Sequence, residues 1–111
     1  MIDTIQELLQ REFDLNETLM VLKSPINIYW TWGVEKMYNV KNQGLILKVN
    51  GHHWKNFVLV TLAWNDTYTV SLLDEDFNIS KTITEVYYDM LQNIIDTEIE
   101  YIEEYNEEYK F

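Results

Sequence analysis

The side chains of this chain that could do chemistry are mostly acids. The sequence holds 19 Asp and Glu against 8 Lys and Arg in 111 residues, a formal net charge of −11. The densest run closes the sequence: Asp96, Glu98, Glu100, Glu103, Glu104, Glu107 and Glu108, with Tyr101, Tyr105 and Tyr109 between them at steps of four. On a helix that spacing places the tyrosines in one stripe. Acids at a helix C-terminus oppose its dipole, and like charges at i,i+4 repel, each at a cost of roughly some tenths of a kcal/mol. Aromatics ringed by one sign of charge suit a contact surface for a basic protein, or two-fold pairing of the helix with a second copy of the chain. Tyr101, Glu104, Tyr105, Glu108 and Tyr109 are therefore the candidate partner-binding residues. The plainer alternative is a solvated helix end whose tyrosines pack on their own domain.

Asp74, Asp76 and Asn78 take positions one, three and five of a calcium-loop spacing, and Glu85 takes position twelve. Alternate oxygens at that spacing can converge on one cation. The pattern is incomplete. Ile79 stands where the loop needs glycine, Lys81 stands where it takes an apolar residue, and the segment before it reads as a strand. His52 and His53 are adjacent, so on a strand they point to opposite faces, and no third ligand follows at a metal-binding spacing. No metal and no cofactor is assigned. Trp30 and Trp32, with Trp64, are candidates for an aromatic sheet face that holds a small ligand; large aromatics at a strand period more often build core.

The usual components of catalysis are missing. The chain has no cysteine and only three glycines, Gly33, Gly44 and Gly51. It therefore offers neither a thiol nucleophile nor a phosphate-cradling glycine loop. No serine sits in a nucleophile-elbow motif. Net negative charge disfavours direct binding to nucleic acid phosphate and to anionic membrane surfaces. It favours basic protein surfaces.

These residues need elements to position them. Residues 45–73 carry three runs rich in β-branched and aromatic side chains, cut by Asn50-Gly51 and Asn65-Asp66. That is the pattern of antiparallel strands, expected at 45–50, 57–64 and 67–73. Residues 57–64 are apolar on both faces, as in the middle of a sheet covered twice. Residues 26–37 alternate, with Ile28, Trp30, Trp32 and Val34 on one side, and are expected as the first strand. The opposite face, with Tyr29, Thr31, Thr69 and Ser71, is more polar and is expected as a second contact surface. A short amphipathic helix is expected at 4–13, with Thr4 and Glu7 as a capping box. Residues 18–23 fit either a strand or a helical turn. From residue 82 to residue 109, apolar residues recur at steps of three and four, which predicts one long helix.

The expected fold is α+β: a four-stranded antiparallel meander with a short N-terminal helix and a long C-terminal helix, in one domain, 1–111, whose acidic helical tail is 96–111. At 1.5 Å per residue the last helix spans roughly 40 Å and overhangs its domain. The expected function is a non-enzymatic protein–protein interaction module that self-associates through that overhang or through a sheet face. One alternative is an acidic DNA mimic that occupies the basic groove of a nucleic-acid-binding protein. The other is a small-ligand domain. The start of the sequence lacks the pattern of a secretion signal and no run is apolar enough for a membrane span, so a cytoplasmic location is expected. Scarcity of Ala and Arg suggests an AT-rich bacterial or phage accessory locus.

Overall fold

The computed structural model describes residues 2–51 and 54–99, with side chains from residue 5 onward. Three helices precede the sheet: α1 (Ile2–Leu8), α2 (Leu15–Leu22) and α3 (Ile26–Thr31). Five strands follow, β1 (Lys36–Val40), β2 (Gly44–Lys48), β3 (Phe57–Leu62), β4 (Tyr68–Leu73) and β5 (Ile79–Val86). A 3₁₀ turn at Tyr88–Met90 leads into α4 (Leu91–Ile99). The strands pair antiparallel in chain order, β1-β2-β3-β4-β5. The architecture is therefore α+β with a five-stranded meander and helices at both ends. None of the described helices is long and apolar enough to cross a membrane.

The sheet is covered on both faces, as the two-sided apolar pattern of β3 requires. Leu45, Leu47, Val58, Val60, Val70 and Leu72 face α2, α3 and α4, where Leu22, Trp32, Leu91, Ile95 and Ile99 close over them. On the reverse face Ile46, Leu59 and Leu73 meet Ile5 and Leu8 of α1, with Leu9 beside them. Thr69 and Ser71 are buried there too, whereas Tyr29 is buried in the helical layer and Thr31 is exposed on α3, so the more polar face expected as a contact surface does not form. α1 begins at Ile2, ahead of the expected Thr4 cap, and ends at Leu8 instead of residue 13.

Two segments take a different element type from the one expected. The strand expected at 26–37 is a helix over its first half. Trp30 and Trp32 alternate like strand residues, but Tyr29 and Trp32 also lie at helical spacing. That second pattern prevails, because it buries both rings against the sheet and each other, centroids 5.4 Å apart. Only the end of the expected strand, with the residues after it, becomes β1.

The helix expected from residue 82 is also divided. Its first part is strand β5, an edge strand zipped to β4 with irregular register near Tyr68 and Leu72. Ile79, Thr82, Ile83, Thr84 and Val86 are β-branched, which lowers helix preference and suits a pleated surface. Helix starts only at Leu91. There Leu91, Gln92, Ile95 and Ile99 form its buried stripe. The sheet consequently has five strands where four were expected, and no single rod leaves the domain from residue 82.

Close backbone approach pins α4 at Ile99. A Cβ on Gly51 would stand 2.3 Å from the carbonyl oxygen of Ile99. Only glycine lets the β2–β3 connection meet the helix so closely.

Candidate functional site: an acidic apolar groove between helices

α2 is amphipathic in an unusual way. Asp14 caps it, its Oδ1 accepting from the backbone N–H of Asn16 and of Glu17, as an N-cap carboxylate does. Leu15, Thr18 and Leu22 form the buried side. Glu17, Met20, Val21 and Ser24 recur at steps of three and four and make a second face. That face lines a groove of about 530 Å³, closed on the other sides by Pro25 and Ile28 and by Tyr88, Asp89, Gln92 and Asn93. Met20 is 71% exposed and Tyr88 68% exposed. Neither ring nor thioether is covered by the rest of the described chain.

The walls of this groove are fixed. Gln92, itself buried, donates from Nε2 to the carbonyls of Leu22 (2.8 Å) and Pro25 (2.9 Å). One amide thus satisfies carbonyls left open at the end of α2 and in the α2–α3 turn, and ties both to α4. On the far side of α2 the hydroxyls of Thr18 and Tyr68 lie 2.9 Å apart, a buried hydrogen bond to the sheet. Trp32 donates from Nε1 to Asp96 Oδ1 at 3.0 Å, joining the end of α3 to α4.

A second depression, of about 290 Å³, adjoins the first and shares Glu17 and Tyr88 with it. Phe13 and Tyr68 stand edge-on there, 6.1 Å apart. Arg11 pairs with Asp66, and its guanidinium lies 6.0 Å from the ring of Trp64, which is 73% exposed. The two depressions carry Glu17, Asp89, Asp14 and Asp66; Arg11 is the one base among their described lining residues.

The residues singled out from sequence are scattered. Tyr101, Glu104, Tyr105, Glu108 and Tyr109 lie outside the described residues, as do His52 and His53. Asp74 turns its carboxylate inward, Oδ1 accepting from the N–H of Asp76 and of Asn78 at 2.9 Å each. It shapes the β4–β5 turn. Glu85 sits at the other end of β5, roughly 20 Å from that turn at strand rise, so it cannot join Asp74 on one cation. Among the described residues no three His, Cys, Asp or Glu side chains are placed to hold a metal. The three tryptophans do not form an aromatic sheet face: Trp32 is fully buried in the helical layer, while Trp30 and Trp64 are exposed on α3 and in the β3–β4 turn.

The groove itself escaped sequence reading. Its signal, the second helical face at 17, 20, 21 and 24, becomes visible only once residues 15–22 are known to be helical. Comparison with family models, with curated proteins and with solved structures returns no match.

Proposed function

We propose that this chain is a non-enzymatic protein-interaction module, and that its contact surface is the groove between α2, α3 and the start of α4. The observation that carries this reading is the pairing of Met20 and Tyr88, two large apolar side chains left uncovered in one depression with fixed walls. Exposed apolar groups clustered in a depression mark contact sites more often than they mark ordinary surface. Methionine and tyrosine are also enriched in the buried centres of interfaces. The groove is open rather than enclosed, which suits a polypeptide better than a sequestered metabolite. We take the partner to be a different protein; the self-association expected from an overhanging helix drew on an unbroken rod from residue 82, whose first part is β5.

A photoreactive phenylalanine analogue placed singly at positions 20, 88 and 80 tests the proposal in lysate of the source cells. Ser80 lies exposed on β5, away from the groove. The expected result is the same discrete polypeptide adduct from positions 20 and 88, none from position 80, and loss of the position-20 adduct on Tyr88→Asp. Equal labelling at all three positions, or none at 20 and 88, refutes it.

A further inference from the structure

We infer that the occupant of this groove is an amphipathic helix of a partner protein with Lys or Arg beside its apolar stripe; the inference rests on the groove being the contact surface. Three observations select that occupant.

The first is what the walls do not offer. The carbonyls of Leu22 and Pro25 already accept Gln92. The N–H groups of Lys23 and Ser24 already bond to Leu19 and Val21, and Pro25 has none. The two edges of the sheet are β1 and β5, and no residue of either lines the groove. An extended peptide would find no edge to pair with and would bury unpaired backbone groups. A helix satisfies its own backbone and meets side chains with side chains, the helix-in-groove mode.

The second is shape. Glu17, Met20, Val21 and Ser24 form ridges at the i±3 and i±4 spacings into which another helix's side chains can fit. Met20 is unbranched and adapts to what it meets. Tyr88 stands on the other wall as a flat, stiff surface.

The third is charge. Glu17 stands on α2 and Asp89 on the opposite wall, and the described lining of the groove holds no Lys, Arg or His. The adjoining depression adds Asp14, while its Arg11 and Asp66 pair with each other. The net charge of −11 draws cations to the chain as a whole and repels acidic helices, and Glu17 and Asp89 are the groove's own acids for a Lys or Arg to meet.

Three synthetic peptides of about five helical turns test this on the full chain. One patterns Leu and Lys at helical period, one has the same composition with Leu and Lys alternating, and one replaces Lys by Glu. Affinity is read by fluorescence anisotropy at low and high salt, and position by backbone amide shifts. Only the helical Leu/Lys peptide should bind, moving the amides of Glu17, Met20, Tyr88 and Asp89. Glu17→Gln with Asp89→Asn should weaken it roughly four- to twentyfold, a few-fold per exposed charge, and most at low salt. Circular dichroism of that variant should match the parent. The inference falls, with the groove still standing as a contact surface, in either of two outcomes: the Leu/Glu or the alternating peptide binds there equally well, or the charge variant binds unchanged. Both readings fall if the shifts map away from the groove or if Met20→Asp leaves affinity intact.

Discussion

Trp32 is where the helical layer should prove most fragile, and Trp32→Phe probes it. The residue is fully buried, and its Nε1 donates to Asp96 Oδ1 at 3.0 Å. Phenylalanine keeps a ring against Tyr29 but deletes the donor and part of the indole. A hydrogen bond to a charged acceptor contributes about 1.5–3 kcal/mol. The missing ring atoms add about 1 kcal/mol of lost packing. A loss near 3 kcal/mol follows. Unfolding entropy of about 2.1 cal/mol/K per residue comes to roughly 0.23 kcal/mol/K for this length, so Tm should fall by about 13 °C. Urea titration followed by far-UV circular dichroism measures this without relying on tryptophan fluorescence. The same titration on Asp96→Ala and on the double variant isolates the pair. The two substitutions should couple by at least about 1 kcal/mol. Coupling within about 0.5 kcal/mol of zero, at unchanged urea slope, would refute the claim that this bond ties α3 to α4.

Three further outcomes follow from other sites. Gly51→Ala puts a methyl 2.3 Å from the Ile99 carbonyl oxygen, a backbone atom that cannot swing aside, and should cost about 2 kcal/mol; an unchanged Tm would mean that Gly51 does not abut α4. Lys41 and Asn42 both hold positive φ, 54° and 57°, in the β1–β2 turn, so Lys41→Asn should raise stability by about 0.5 kcal/mol, read as a higher urea midpoint. Burial raises the Tyr29 phenol above its ordinary 10.0. The unfolded chain therefore releases that proton first, and the stabilisation is complete below pH 10 and lost as pH climbs through the raised value. Tyr29→Phe should flatten the alkaline decline in stability measured by urea titration, and parallel declines in parent and variant would exclude the effect.

The sequence alone determined what depends on neighbours along the chain. Runs of β-branched and aromatic residues between Asn-bearing turns located β2, β3 and β4. The two apolar faces of residues 57–64 identified the strand that ended in the middle of the sheet. Absent cysteine and surplus acid were plain from composition. Tertiary structure decided the segments that satisfy two periods at once. Trp30 and Trp32 read as strand until Tyr29 and Trp32 are seen to share a burial site. Residues 82–86 carry helical spacing into their successors, yet the free edge of β4 claims them, with 79–81, as a strand, because pairing that edge satisfies a whole row of its backbone groups. The groove lay further out of reach. It exists only where α2, the α2–α3 turn and the start of α4 converge, and they converge because Leu22, Leu91 and Ile95 bury against one sheet face, with the amide of Gln92 bonded to Leu22 across 70 residues. Local preference can name each of those pieces, but only a contact between distant residues can bring them together.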